Sequence, residues 1–230
     1  MNGFLGIATL PCLALTLCSP PLKTLPPPEE RNAEPSLLVS SSAIPPATSI
    51  MAGRMVSHEG GVTRDGEGFG PKFCRAWIPI TGGEVVLLGV TASLPKSWTG
   101  WSAHFVRDGV NHLGEAWSKP PVIDTDRWYH NYLGHPYGGS LYYNSVRCQG
   151  ATVGESFAMS VILSTQWEYV FEAVAERPSI QDLIVTPVIG SLLGEVVHRT
   201  TQNMKRNGTT FPEKLFITLF NPMSEIMSGD

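Results

Sequence analysis

The longest stretch of regularly spaced apolar residues runs from about 153 to 204, and its pattern predicts two helices joined at Arg177-Pro178. Apolar side chains recur at helical spacing on both sides of that break. Ser179 and Asp182 form a typical helix start, because their side-chain oxygens accept hydrogen bonds from the free backbone N–H groups of a first turn. Since the connection is short, the two helices should pack antiparallel. The pattern therefore predicts a helical hairpin.

Three shorter helices are predicted before this hairpin, at residues 84–94, 97–117 and 136–147. The first is closed by Pro95, and we favour a helix over a strand there. Pro136 suits the first turn of the third helix, which places His135 at or next to its N-cap. Together these elements predict an all-α fold, with a compact helical domain at residues 71–223 and a tail at 224–230.

The first 70 residues have a different composition. Residues 1–18 are apolar and end at Cys18, as an export leader does. The start of this segment lacks the Lys or Arg that an export leader normally carries. Leu15-Thr16-Leu17-Cys18 resembles a lipobox, in which the cysteine carries lipid, but Leu17 is bulky for that role, so lipidation and an uncleaved leader both stay open. Residues 19–70 are rich in Pro, Ser, Ala and Gly, which predicts a disordered tether. We expect the domain in the bacterial envelope, either periplasmic or anchored as a lipoprotein.

Charge and hydrophobicity narrow the class of partner. The formal net charge is -4, so the chain offers no basic surface for nucleic acid. Hydrophobic residues make up 42% and charged residues 16%, which is apolar for a soluble domain, yet no eighteen-residue uncharged apolar run follows the leader. A plain membrane-spanning bundle is therefore not predicted. A membrane or envelope component remains a possible partner, with four tryptophans as interfacial anchors or as core residues: Trp98, Trp101, Trp117 and Trp128.

Two rows of polar residues recur at four-residue spacing. His104, Asp108 and His112 form one stripe, which could bind a metal but is better explained as a solvated face, because no fourth ligand accompanies it. The other row follows the first helix of the hairpin, and it should be partly buried because the remaining faces of that helix are apolar: Ser160, Ser164, Glu168, Glu172 and Glu176.

Several of these segments resemble one family in their order and spacing. The runs are DTDRWYHNYLGHPYGGSLYYNSVR, STQWEYVFEAVAERPSIQDLIVTPVIGSLLGEVVHR and FNPM. They resemble the uncharacterised bacterial family known as domain of unknown function 3943, over roughly residues 101 to 223. The resemblance implies an envelope setting and supplies no activity. The hairpin is also similar, with less specificity, to the membrane-associated VanZ-like proteins.

The polar residues that are expected to face inward allow two hypotheses about function. The first is a structural or scaffolding network, in which Arg147 pairs with Glu168 or Glu172 because buried carboxylates need cations. Its further members are Asp124, Asp126, Asn131, Tyr142, Glu176, Ser179 and Glu195. The alternative is a hydrolase acting on envelope lipid or glycan, with or without a metal, although no Gly-x-Ser-x-Gly or His-Glu-x-x-His motif is present. Its candidate catalytic residues are His135, Glu168, Glu172, Asp182 and His198.

Overall fold

The computed structural model describes residues 67–101, 104–123 and 125–227, all of which belong to one unit of the chain. The predicted leader, Cys18, nearly all of the predicted tether and Asp124 lie outside the described residues. Within the described ranges the chain forms eight α-helices and no strand, which confirms the all-α prediction. The helices are α1 Phe69–Ser93, α2 Lys96–Thr99, α3 Phe105–Ser118, α4 His135–Arg147, α5 Val153–Gln166, α6 Ile180–Arg206, α7 Phe211–Phe220 and α8 Met223–Ile226.

The predicted hairpin is formed by α5 and α6, and both helices also pack against α4. Local capping sets where each begins. Thr152 and Glu155 make a reciprocal capping box at the start of α5. At the start of α6, the Ser179 Oγ accepts a hydrogen bond of 3.2 Å from the Asp182 backbone N–H, as its sequence predicted.

Helices α4 and α6 form the largest interface between elements, and they touch backbone to backbone. A Cβ atom placed on Gly139 would lie 1.9 Å from the Thr186 carbonyl oxygen, and one on Gly190 would lie 2.6 Å from the Gly139 Cα. One turn further on, Gly194 lies against the Tyr143 ring. Only glycine leaves room for an approach this close, which is typical of small-residue helix packing.

The long helix predicted at 153–175 is interrupted. Helix α5 ends at Gln166 and continues as a π turn, Trp167–Phe171, and a 3-10 turn, Glu172–Val174. Each of these turns changes the angle between successive side chains. The four-residue row of polar side chains therefore does not continue along one face.

Two other helix boundaries differ from the predicted ones. The expected single helix at 97–117 is split, because Gly100 adopts a left-handed conformation with φ of 78° and ends α2. His135 is the first residue of α4 and lies next to the N-cap, Gly134, as predicted, but the helix has no free start there, because a π turn, His130–Gly134, runs directly into it. Pro136 has no N–H to donate within that run, so the helix widens into a π turn just before it.

The apolar core lies between α1, α4, α5 and α8, and its main residues are Phe73, Ala76, Ile80, Tyr142, Val146, Met159, Leu163 and Met223. Helix α6 has the opposite arrangement. Its buried residues are mostly polar or small: Asp182, Thr186, Gly190, Ser191, Gly194, His198 and Thr201. Its exposed residues include an apolar set: Ile180, Ile184, Val188, Ile189, Leu192, Leu193 and Val196.

Length and composition set α1 and α6 apart from the other described helices. They have 25 and 27 residues, and both are long and apolar enough to cross a membrane. No such segment was expected after the leader. Carboxylates keep either helix from containing an uncharged eighteen-residue run: Glu84 in α1, and Asp182 and Glu195 in α6.

Candidate functional site

His135, Glu168 and Asp182 meet at the point where three elements converge. They come from the start of α4, the Trp167–Phe171 π turn and the first turn of α6. One potential ligand atom from each side chain lies within 4.8 Å of the other two. The His135 Nε2 is 3.7 Å from the Asp182 Oδ2. We call these three residues the acid–histidine cluster.

Backbone and hydroxyl groups orient the members of the acid–histidine cluster. The Ser179 N–H donates to the Glu168 Oε2 at 2.8 Å, while the Ser179 hydroxyl caps the helix that carries Asp182. The His135 Nδ1 is hydrogen-bonded to the Thr186 Oγ1 at 2.9 Å. Ser179 thus holds the Glu168 carboxylate against the helix turn that carries Asp182, and Thr186 orients the imidazole ring.

Burial differs between the two sides of the acid–histidine cluster. Glu168 and Asp182 are 1% and 3% exposed, whereas the His135 side chain keeps 16% of its surface accessible. Tyr132 and Leu133, three and two residues before His135, have exposed side chains. The cluster is therefore closed at its carboxylates and reachable from the histidine side, next to an apolar surface.

The next two glutamates of the row have tryptophan partners. The Trp167 Nε1 donates to the Glu172 Oε2 at 2.6 Å, and the Trp101 Nε1 donates to the Glu176 Oε1 at 2.8 Å. Burial raises the pKa of Glu172 well above its ordinary value, and the nearby charges of Glu168 and Glu176 raise it further. Glu172 therefore holds its proton to higher pH than an exposed glutamate, and its carboxyl can act as a proton donor beside the cluster.

Arg147 does not pair with Glu168 or Glu172, and that prediction is wrong. Its Nε lies 3.0 Å from the Glu195 Oε2, and the same carboxylate accepts a hydrogen bond of 2.7 Å from the Tyr143 hydroxyl. The pairing follows from helix geometry, because Arg147 lies at the far end of α4, about 18 Å along the axis from His135.

His198 also lies away from the acid–histidine cluster. It is sixteen residues beyond Asp182 on α6, which corresponds to about 24 Å along the helix. Its Nδ1 is 3.8 Å from the Cys148 Sγ. Burial raises the pKa of that thiol to about 12, so Cys148 is protonated at neutral pH and is not an activated nucleophile.

The remaining residues of the predicted network are dispersed. Asp126 lies 3.7 Å from His130, Asn131 is buried in the π turn His130–Gly134, and Tyr142 is hydrogen-bonded to Glu84 of α1. Asp124 lies outside the described residues. The network is therefore at least three separate groups of contacts, of which only the acid–histidine cluster unites predicted catalytic candidates.

Among the described residues, the stripe of His104, Asp108 and His112 does not bring its potential metal-binding atoms together. Asp108 pairs with Arg107, and the His112 Nδ1 contacts the Val174 carbonyl oxygen at 3.2 Å. Asp108 therefore lies on a solvated face, as the sequence favoured, whereas His112 is partly buried against the turn that contains Val174.

Sequence reasoning missed two polar partners. Thr186 contacts His135, and buried Glu84 accepts a hydrogen bond of 2.6 Å from the Gln166 amide. Thr186 lies one helical turn after Asp182, which is a signal for the same face of α6. In the sequence, Glu84 is a single carboxylate at the start of an apolar stretch. That position is equally typical of an exposed helix end, so it does not predict burial.

The fold and this site define an all-α domain that encloses a carboxylate–histidine cluster at the junction of three helical elements. Residues 120–223 match the model of the family described as domain of unknown function, DUF3943, which confirms the resemblance expected from the motifs. The matched segment contains the whole acid–histidine cluster together with Gly139, Ser179 and Thr186. No curated protein and no solved structure matches the chain.

Proposed function

We propose that this chain is a structural domain of the bacterial envelope that lies within a membrane, with its polar network enclosed between helices. The observation that carries the proposal is the reversed pattern of α6, which faces its protein neighbours with polar and small residues and faces outward with apolar ones. A helix on the surface of a water-soluble domain has the opposite pattern.

The outward face of α6 would be unfavourable in water. Leu192 and Val196 are 65% and 63% exposed, and each large apolar side chain left in water forgoes about 1.5–3 kcal/mol relative to full burial. Helix α1 adds a second apolar surface through exposed Val85, Val86 and Val90. Acyl chains would cover both surfaces without a second protein.

Helix length agrees with this placement. At 1.5 Å per residue, α1 and α6 are about 38 and 40 Å long, whereas the hydrocarbon core of a bilayer is about 30 Å thick. Trp98 and Trp128 are each 65% exposed, as interfacial anchors would be, whereas Trp101 is buried in the domain. The glycine contacts between α4 and α6 also suit a bilayer, where helices associate through small residues.

Photo-crosslinking from the outward face of α6 tests the placement. A photoreactive amino acid is introduced into the full chain in place of Leu192 or Val196, and in place of Asn203 as the matched control on the polar end of the same helix. We expect lipid adducts at 192 and 196, detected by mass spectrometry after illumination of intact cells, and none at 203. Absence of lipid adducts at 192 and 196 would overturn the proposal, whatever anchors the N-terminus.

A second candidate function is hydrolysis of an envelope lipid or glycan. The observation that favours it is the convergence of His135, Glu168 and Asp182 beside a glutamate whose pKa is raised, since paired acid and base groups are what general acid–base catalysis requires. Ionisable residues inside a membrane commonly mark functional sites.

The purified chain incubated with envelope lipid and glycan fractions tests this candidate. Product release should fall by about 100-fold or more in Glu168→Gln, because a general base contributes that much, and should be unchanged in His130→Asn, which alters a partly exposed histidine–carboxylate pair outside the cluster. Equal product release from wild type and Glu168→Gln would exclude this role.

A further inference from the structure

The acid–histidine cluster has the composition and spacing of a metal centre. It combines one imidazole with two carboxylates, each from a different helical element, and all three potential ligand atoms lie within 4.8 Å of one another. We propose that the cluster binds one divalent transition-metal ion through His135 Nε2, Glu168 and Asp182. This inference goes beyond the membrane placement and does not depend on it.

The distances need only a small contraction. Ligand atoms at about 2.0–2.2 Å from a tetrahedral ion are about 3.3–3.6 Å apart. The His135 Nε2 to Asp182 Oδ2 distance of 3.7 Å is already close to that value. The other two pairs of ligand atoms are no more than 4.8 Å apart, so small movements of the Asp182 and His135 side chains would be enough to close them around an ion.

Thr186 supplies the hydrogen bond that a metal-binding histidine needs. When the Nδ1–H of His135 donates to the Thr186 Oγ1, the lone pair of Nε2 is directed toward the carboxylates. That is the tautomer in which an imidazole binds a metal. Ser179 orients Glu168 in a similar way. Its N–H donates to one carboxylate oxygen at 2.8 Å and so limits the rotation of the Glu168 carboxylate.

The ligand set indicates which ions bind. One nitrogen and two carboxylate groups suit Zn²⁺ or Mn²⁺, whereas Mg²⁺ prefers a shell of oxygen ligands that retains several waters. Three protein ligands leave at least one coordination position for water or another small ligand. The partly accessible side of His135 provides the route by which the ion enters.

Metal analysis of the full chain, purified in detergent without a histidine tag, tests the proposal. After chelation and dialysis, titration with Zn²⁺ or Mn²⁺ should saturate at about one ion per chain, and Mg²⁺ should bind far more weakly. Both His135→Asn and Asp182→Asn should lose this binding. His130→Asn is the matched control, because His130 also lies 3.7 Å from a carboxylate, Asp126, but in a partly exposed pair outside the cluster, and this variant should bind as the wild type does.

Thr186 variants test metal binding without changing a ligand, in case a ligand variant fails to fold. Thr186→Val should weaken binding by about 10–100-fold, and Thr186→Ser, which restores the hydroxyl, should recover it. A wild-type chain that takes up neither ion, or binding that is equal in wild type, Asp182→Asn and Thr186→Val, would overturn the proposal.

Discussion

Gly139→Ala is expected to destabilise the domain more than any other single methyl addition on α4. The new Cβ would lie 1.9 Å from the Thr186 carbonyl oxygen, and the obstructing atoms are backbone that cannot rotate away. The helices must therefore separate, which lowers the free energy of unfolding by about 3 kcal/mol or more. Because Thr186 contacts His135, the same displacement should weaken metal binding at the acid–histidine cluster.

Gly138→Ala is the matched control for this change. Gly138 precedes Gly139 on the same helix, but a Cβ there meets nothing within 4 Å, so alanine should stabilise the helix by about 0.5–1 kcal/mol. Thermal unfolding followed by circular dichroism in detergent measures both variants. Equal melting temperatures for Gly138→Ala and Gly139→Ala would mean that α4 and α6 are not in backbone contact.

Arg147→Ala should produce the second large loss. The Arg147 side chain is 23% exposed and its partner Glu195 is 17% exposed, so removal of the guanidinium leaves a largely buried carboxylate without its main cation. The change also removes the donor to the Ala151 carbonyl oxygen, which ties the end of α4 to the following turn. We expect the free energy of unfolding to fall by about 2–3 kcal/mol, less than for a fully buried pair because water screens part of the interaction.

Arg199→Ala tests whether burial causes that loss. Arg199 pairs with the same carboxylate at 2.9 Å, but its side chain is 76% exposed. Its removal should cost under about 1 kcal/mol. If chemical denaturation gives equal losses for Arg147→Ala and Arg199→Ala, the depth of the α4–α6 ion pair does not matter for stability.

The helical hairpin and its start were predictable from the sequence because they rest on local interactions. Ser179 and Asp182 are three residues apart, and the capping that they specify needs no tertiary partner. The hypothesis that His135 meets Glu168 had no such local basis, because His135 lies outside the hairpin and the sequence placed Glu168 in the middle of a helix.

The partner of Arg147 could not be inferred in the same way. Glu195 lies 48 residues away, on the last half of a 27-residue helix, and which turn of α6 faces Arg147 depends on the register of the whole interface. That register is set by the contact of Gly139 with Gly190. The sequence alone offers no means of aligning one turn of α6 with a particular turn of α4.

The reversed pattern of α6 was hidden for a different reason. Hydrophobic periodicity identifies two faces of a helix, but it does not indicate which face meets protein and which meets the surroundings. The usual assumption that apolar residues point inward holds in water. The exposed side chains of Leu192 and Val196 show that this assumption fails for α6.

The π turn at Trp167–Phe171 determines which glutamate reaches His135. Glu168, Glu172 and Glu176 are chemically identical, and in an unbroken helix they would share one face. The wider turn separates them, so that Glu168 enters the acid–histidine cluster while the other two contact tryptophans. Gain or loss of a single residue in this turn would keep every helix of the domain yet present a different side chain to the histidine. The number of residues in this turn, rather than the type of residue, therefore determines which side chain contacts His135.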